Sequence, residues 1–165
     1  MQNDFIDGSL GTAEAQKIVK RVADKIKTYE NHIIYATRDT HETDYLKTAE
    51  GRHLPVEHCI RDTVGWQIGA EITAALPAHT IILDKPSFGS LELAEQLQEM
   101  ALTEEVEIEL IGLCTDICVV SNALLLKAYM PEVRIAVDAS CCAGVSKESH
   151  EAALLTMKMC QIEVC

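Results

Sequence analysis

The spacing of apolar positions changes several times along the chain, and each change predicts an element. Between residues 13 and 30, Ala15, Ile18, Val19, Val22 and Ile26 recur at helical spacing among charged residues, which predicts an amphipathic helix. HIIYAT (32–37) is a short β-rich run and predicts a strand. The polar stretch 38–65, with Gly51, Pro55 and Gly65, reads as a long loop, a feature that in compact domains is usually functional. Beyond it the pattern predicts a helix over 67–76, a strand over 80–84 (TIILD), a helix over 90–101 and a strand over 106–112 (VEIELIG). An almost wholly apolar helix over 116–129 follows, then a strand over 133–138 (VRIAVD) and a helix over 147–159. QIEVC (161–165) predicts a last strand.

Repeated strand–helix alternation predicts an α/β fold, a three-layer α/β/α arrangement around a mostly parallel sheet. A length of 165 residues suits one domain over 1–165, with no internal repeat, linker or low-complexity segment. Ligands of such sheets bind beyond the carboxyl ends of the strands. That rim would gather Arg38, Asp39, Thr40 and His41 after one strand, Lys85 after the next, Cys114 to Cys118 after a third and Asp138 at a fourth.

Composition narrows the function classes. A net charge of −12 argues against nucleic acid and anionic membrane as partners, because phosphate binding needs a basic face. No apolar run approaches the roughly 20 residues that span a bilayer. The opening MQNDFIDG lacks the basic and apolar regions of a secretory signal. Seven cysteines, an odd number without a CxxC pair, point to reduced thiols and a cytoplasmic location rather than a disulfide scaffold.

Several rim residues are chemically suggestive. Thr115 could N-cap the apolar helix, which would put Cys118 at its third position. There, unpaired N–H groups and the helix dipole favour a thiolate and could hold an oxyanion. A buried packing cysteine is the competing reading. Lys85 would be a cation beside that thiolate, or simply a solvated lysine before Pro86. Asp39 and His41, with His58 from the loop, could bind zinc, iron or manganese; His53 and Glu50 lie in the same loop and could add a ligand. Alternatively Asp39 caps a turn and the histidines are solvated. Cys141 and Cys142 read as packing residues, and Asp138 as a cap or loop anchor.

These segments together resemble the isochorismatase-like cysteine hydrolases, and most of all their nicotinamidase (pyrazinamidase) branch. MQNDF resembles the end of a D-x-Q-N-D-F motif, and GLCTDICV (112–119) a G-x-x-T-D-x-C-V segment. ATRDTH (36–41) and LPVEHC (54–59) are similar to the metal segments, and DKPSFGS (84–90) to the lysine segment. The resemblance covers essentially the whole chain, in order. It implies Cys118 as nucleophile, Lys85 as its cationic partner, and backbone N–H groups of Cys114 and Cys118 as the oxyanion hole. It further implies a cis peptide just before Cys114, Asp39, His41 and His58 as ligands of a divalent metal (zinc first, iron or manganese as alternatives), and Phe5 as a wall against a flat ring. The family's catalytic aspartate falls immediately before the position of Met1, on a first strand that the chain does not include. The expectation is that the true N-terminus lies further upstream. Asp4 is expected to be structural rather than a substitute for that aspartate.

The implied activity is hydrolysis of nicotinamide to nicotinate and ammonia through a thioester, in a homo-oligomer with a small-molecule amide as its partner. One rival keeps the nucleophile and changes the substrate to another small amide, ureide or carbamoyl compound. Another is a binding protein that retains the fold without the activity. The isochorismatase reaction itself is disfavoured, since it does not need Cys118.

Overall fold

The computed structural model describes all 165 residues, packed as two compact units, Met1–Ser87 and Phe88–Cys165. In the first unit a single turn, α1 (Asn3–Ile6), precedes α2 (Ala13–Thr28). Thr12 caps α2 by accepting the Ala15 N–H at 3.0 Å, and Ala15, Ile18, Val22, Ala23 and Ile26 form its buried face. α2 packs on α4 (Ala70–Ala75), which contributes Ile72. β1 (Tyr35–Asp39) and β2 (Ile81–Lys85) pair in parallel, with Tyr35 opposite Ile81 and Asp39 opposite Lys85.

Three boundaries here differ from the sequence pattern. β1 starts three residues later than the β-rich run, because His32 is held in a turn by its N–H bond to the Tyr29 carbonyl. It also ends later, since Arg38 and Asp39 are carried into the ladder by pairing with Asp84 and Lys85, and Arg38 forms a 2.7 Å ion pair with Asp84. The helix expected over 67–76 begins only at Ala70, after Gly69, whose N–H donates to the Met1 carbonyl. The long polar loop is itself structured. A 3-10 turn (Tyr45–Lys47) leads into α3 (Ala49–His53), capped by Thr48. Tyr45 is fully buried, and its hydroxyl donates to the Leu54 carbonyl at 2.9 Å. Gly51 lies so close to this turn that a Cβ would stand 2.1 Å from the Tyr45 carbonyl oxygen, so only glycine fits.

In the second unit, α5 (Leu91–Ala101) is capped by Ser90, and β3 (Glu107–Leu113), β4 (Arg134–Ala143) and β5 (Glu163–Val164) form a parallel sheet in that order. β4 runs five residues beyond the predicted end. A register break between Leu110 and Gly112 lets Cys142 and Ala143 pair with Gly112 and Leu113, and Gly112 sits at φ 114°, a conformation open to glycine. Cys141 and Cys142 are therefore buried strand residues, and burial pushes the Cys142 thiol up to about 12. Asp138 anchors its own strand by accepting the Ser140 N–H and hydroxyl. α7 (Lys147–Met159) has the predicted bounds, set by a reciprocal Ser146–Ser149 cap. Ile135, Val137, Leu126, Met157 and Ile162 fill the core.

The predicted helix 116–129 divides in two. Thr115–Val119 forms a wide π-helical turn, with the Val119 N–H donating to the Cys114 carbonyl at 3.0 Å, and α6 (Val120–Tyr129) continues from it. Thr115 is not the cap: the turn starts at Cys114, and the Thr115 hydroxyl, fully buried, pairs with His150 Nδ1 at 2.8 Å instead. The Leu113–Cys114 peptide is cis, as the resemblance implies.

Candidate metal centre and nucleophile turn

The end of β1 and the structured loop bring four donors together. Asp39 closes β1. His41, two residues on, is tied to the returning chain by donating its N–H to the Cys59 carbonyl at 3.0 Å and accepting from the Arg61 N–H at 2.8 Å. Glu50 comes from α3, and His58 from the segment after it. The donor atoms of these four residues all lie within 4.8 Å of one another. His41 Nε2 is 3.3 Å from Asp39 Oδ2 and 3.7 Å from Glu50 Oε1; His58 Nε2 is 3.7 Å and 3.6 Å from the same two oxygens. Zinc bound at about 2.0–2.2 Å needs tetrahedral neighbours about 3.3–3.6 Å apart, so the four histidine–carboxylate separations of 3.3 to 3.7 Å lie close to that spacing, and the other pairs lie within 4.8 Å.

Two further observations favour a cation at this place. His41 Nε2 is buried and has no hydrogen-bond partner, a costly state for a polar atom. His58 Nδ1 lies 2.8 Å from the Val56 carbonyl, which fixes that nitrogen as the N–H and leaves Nε2 as the donor toward the cluster. Two imidazoles and two carboxylates are a donor set suited to zinc, iron or manganese. Glu50 thus joins as a fourth donor, whereas His53, at the end of α3, does not.

The electrostatics are those of a site that holds positive charge. Burial opposes ionisation of Asp39, but contacts with His41 and His58 and the nearby Lys85 charge outweigh it and hold the carboxyl well below its ordinary range. Burial raises the pKa of Glu50. Burial also works against a charged His58, yet its contact with Asp39 and its bond to Val56 prevail and lift its pKa above the ordinary 6.5. Metal ligation needs the neutral ring, so protons compete with the cation. Apparent zinc affinity is therefore expected to fall as pH drops through this raised value, by about tenfold per unit for each proton displaced. Chelator competition between about pH 8 and pH 6 checks this; a flat profile would exclude His58 as a ligand.

Lys85 is buried rather than solvated. Its Nζ stands 3.5 Å from Asp39 Oδ1 and donates to the Ser87 carbonyl at 2.9 Å. Phe5 presents its ring against His58, 5.5 Å between centroids and nearly edge-on. Asp4 has the structural part expected of it, accepting the Cys59 N–H at 2.7 Å. In the second unit, Cys114 and Cys118 share the π-helical turn. Cys118 is 9% exposed, and its carbonyl accepts from Asn122 Nδ2 at 2.8 Å.

Several supporting residues lie outside the motifs. Asn122, 4% exposed on a mostly apolar helix, also donates to the Phe88 carbonyl and accepts the Ser90 N–H. A lone amide on an apolar stripe was the available signal. The Thr115–His150 pair and the clamp of Asp116 on the Val145 N–H link distant segments and left no local trace. Trp66 stacks on Arg38, 3.8 Å from guanidinium carbon to ring centroid, and donates to the Thr40 hydroxyl.

These features define an α/β hydrolase with parallel strands in open sheets. The chain belongs to the isochorismatase family, whose domain model matches residues 1–165 and so spans both units. No curated protein matches it in sequence. Among solved structures it is similar to the pyrazinamidase of Pyrococcus horikoshii in complex with zinc, at 26% identity and a TM-score of 0.84, covering 100% of this chain and 94% of that one. It is similar to the pyrazinamidase/nicotinamidase of Streptococcus mutans at 28% identity and a TM-score of 0.82, covering 99% and 95%. An isochorismatase-like hydrolase of Alkaliphilus metalliredigens shares the fold at 18% identity and a TM-score of 0.78, covering 99% and 86%. No helix is long and apolar enough to cross a membrane.

Proposed function

We propose that the protein is a cytoplasmic, cysteine-dependent amidohydrolase that converts nicotinamide to nicotinate and ammonia, its two units serving as one isochorismatase domain. The observation that carries this reading is the Asp39, His41, Glu50 and His58 cluster with its orphaned His41 nitrogen. It lies in a chain whose solved relatives include a zinc-bound pyrazinamidase. Asp39, His41 and His58 would hold the metal, with Glu50 as a further donor. When bound, the metal supplies a Lewis-acid contact for the pyridine nitrogen of the substrate.

The rest of the chemistry falls to the chain's own residues. Cys118 attacks the amide carbon as its thiolate, and the Cys114 and Cys118 N–H groups hold the developing oxyanion. The resemblance gives Lys85 the part of cationic partner. The proton given up by the Cys118 thiol is delivered to the departing nitrogen, which leaves as ammonia; water then adds to the thioester carbon, releasing the acid and returning a proton to the sulfur. Phe5, against His58, offers a flat apolar surface for a ring.

The test is ammonia release by the zinc-loaded, full-length protein from nicotinamide, pyrazinamide and a panel of aliphatic amides, ureides and carbamoyl compounds. Nicotinamide and pyrazinamide are expected to exceed the others in kcat/KM by at least about 100-fold, the scale of a lost positioning contact. A different preferred amide would keep the mechanism and change the substrate. No release from any of them would leave a binding protein.

A further inference from the structure

We infer that the Gln2–Asp4 segment sets the spacing of the metal-binding cluster, with Gln2 as positioning residue for Asp39 and Asp4 as its counterpart for the His58 segment. This rests on the metal reading above. Gln2 is 3% exposed and belongs to no candidate ligand set. The Asp39 N–H donates to Gln2 Oε1 at 2.7 Å, and Gln2 Nε2 donates to the Asp39 carbonyl at 2.7 Å. One side chain thus reproduces the two-point pairing that a neighbouring strand would provide. On the other side of β1, the Thr40 N–H bonds the Lys85 carbonyl at 2.9 Å, so Asp39 is fixed from both edges. The second Nε2 proton goes to the Trp66 carbonyl at 2.8 Å. Glutamate would lack both donors, and asparagine is one methylene too short to keep all three bonds.

Two residues further on, Asp4 holds the opposite wall. Its Oδ2 accepts the Cys59 N–H at 2.7 Å and its Oδ1 the Ser9 N–H at 3.3 Å. Cys59, fully buried, sits at φ 47°, and its carbonyl accepts the His41 N–H. One carboxylate therefore fixes the residue next to His58, and that residue's carbonyl in turn holds the backbone of His41. A Cβ on Gly65 would fall 2.1 Å from Asp4 Oδ2, so the neighbouring loop is built closely around this carboxylate. Gln2 and Asp4 bind only backbone, which places three of the four ligand-bearing positions before any cation arrives. Residues that orient ligands in this way typically govern metal affinity by roughly 10–100-fold.

The experiment measures zinc affinity of the full chain by competition with a chromophoric chelator, and the visible absorption of the cobalt(II) form at saturation. Gln2→Met and Gln2→Glu are expected to weaken zinc binding by roughly 10–100-fold and to shift the cobalt bands. Asp4→Ala should do the same, while Asp4→Asn, which keeps an oxygen for the Cys59 N–H, should stay close to the wild type. Metal-free circular dichroism identifies the folded variants, and Gln2→Asn replaces any Gln2 variant that does not fold. Folded Gln2 variants with wild-type affinity and an unshifted cobalt spectrum would overturn the proposal while leaving the metal site standing. A wild-type chain that binds no zinc would remove the metal reading itself, and this inference with it.

Discussion

Replacing Cys118 by alanine is expected to abolish amide hydrolysis, lowering kcat by about 10,000-fold or more, while folding and zinc binding persist. The size follows from the chemistry: without the sulfur no covalent intermediate forms, and only the oxyanion donors and substrate positioning remain. The specificity follows from the structure. Cys118 is a small side chain in the Thr115–Val119 turn, and its neighbours and the backbone supply three ties that hold the turn. The Cys118 carbonyl bond to Asn122, the Thr115–His150 pair and the Asp116–Val145 clamp would all survive truncation. Cys118→Ser, which keeps the shape and offers a poorer nucleophile, should be nearly as inactive. Ammonia release at saturating substrate measures both variants, and intact-mass analysis should show an acyl adduct on the wild type alone. Turnover by Cys118→Ala at the wild-type rate would refute the assignment.

His41→Ala is expected to cost more than about 100-fold in zinc affinity, beyond the range of positioning changes, because it removes a direct ligand. The metal-free protein should lose much less, only the packing of the ring on Tyr45 and His58 and its contact with the Asp39 carboxylate. The two readouts should therefore diverge. Wild-type protein with zinc at about 1,000 times its Kd should gain about 4 kcal/mol in stability, and the variant should lose most of that gain. Thermal unfolding with and without zinc checks this, and chelation of the wild type should reproduce the variant's behaviour. Equal zinc stabilisation of both proteins would place the cation elsewhere.

How much of this was legible beforehand depends on the range of the interactions involved. α2, α5 and α7 were readable because apolar positions at helical spacing are a local signal. The order of Asp39, His41, Lys85 and Cys118 along the strand exits was readable too, as was the structural part of Asp4. β1 and β4 were mislocated because their ends depend on partners: Asp39 on Lys85 and Gln2, Cys142 on Gly112 beyond a register break. Thr115 looked like a cap because capping residues are recognised by type, but His150, 35 residues away, takes its hydroxyl.

By itself, then, the sequence determined the alternation of strands and helices, the family, and the inventory of reactive side chains, all of which follow from residue type and short-range spacing. Tertiary structure alone decided that Glu50 joins the cluster and His53 does not, that Lys85 is buried beside Asp39, and that Gln2 and Asp4 bond the backbone of Asp39 and Cys59. These depend on backbone groups far apart in the chain meeting at hydrogen-bond distance, and no pattern of neighbours along the sequence encodes where a carbonyl will point.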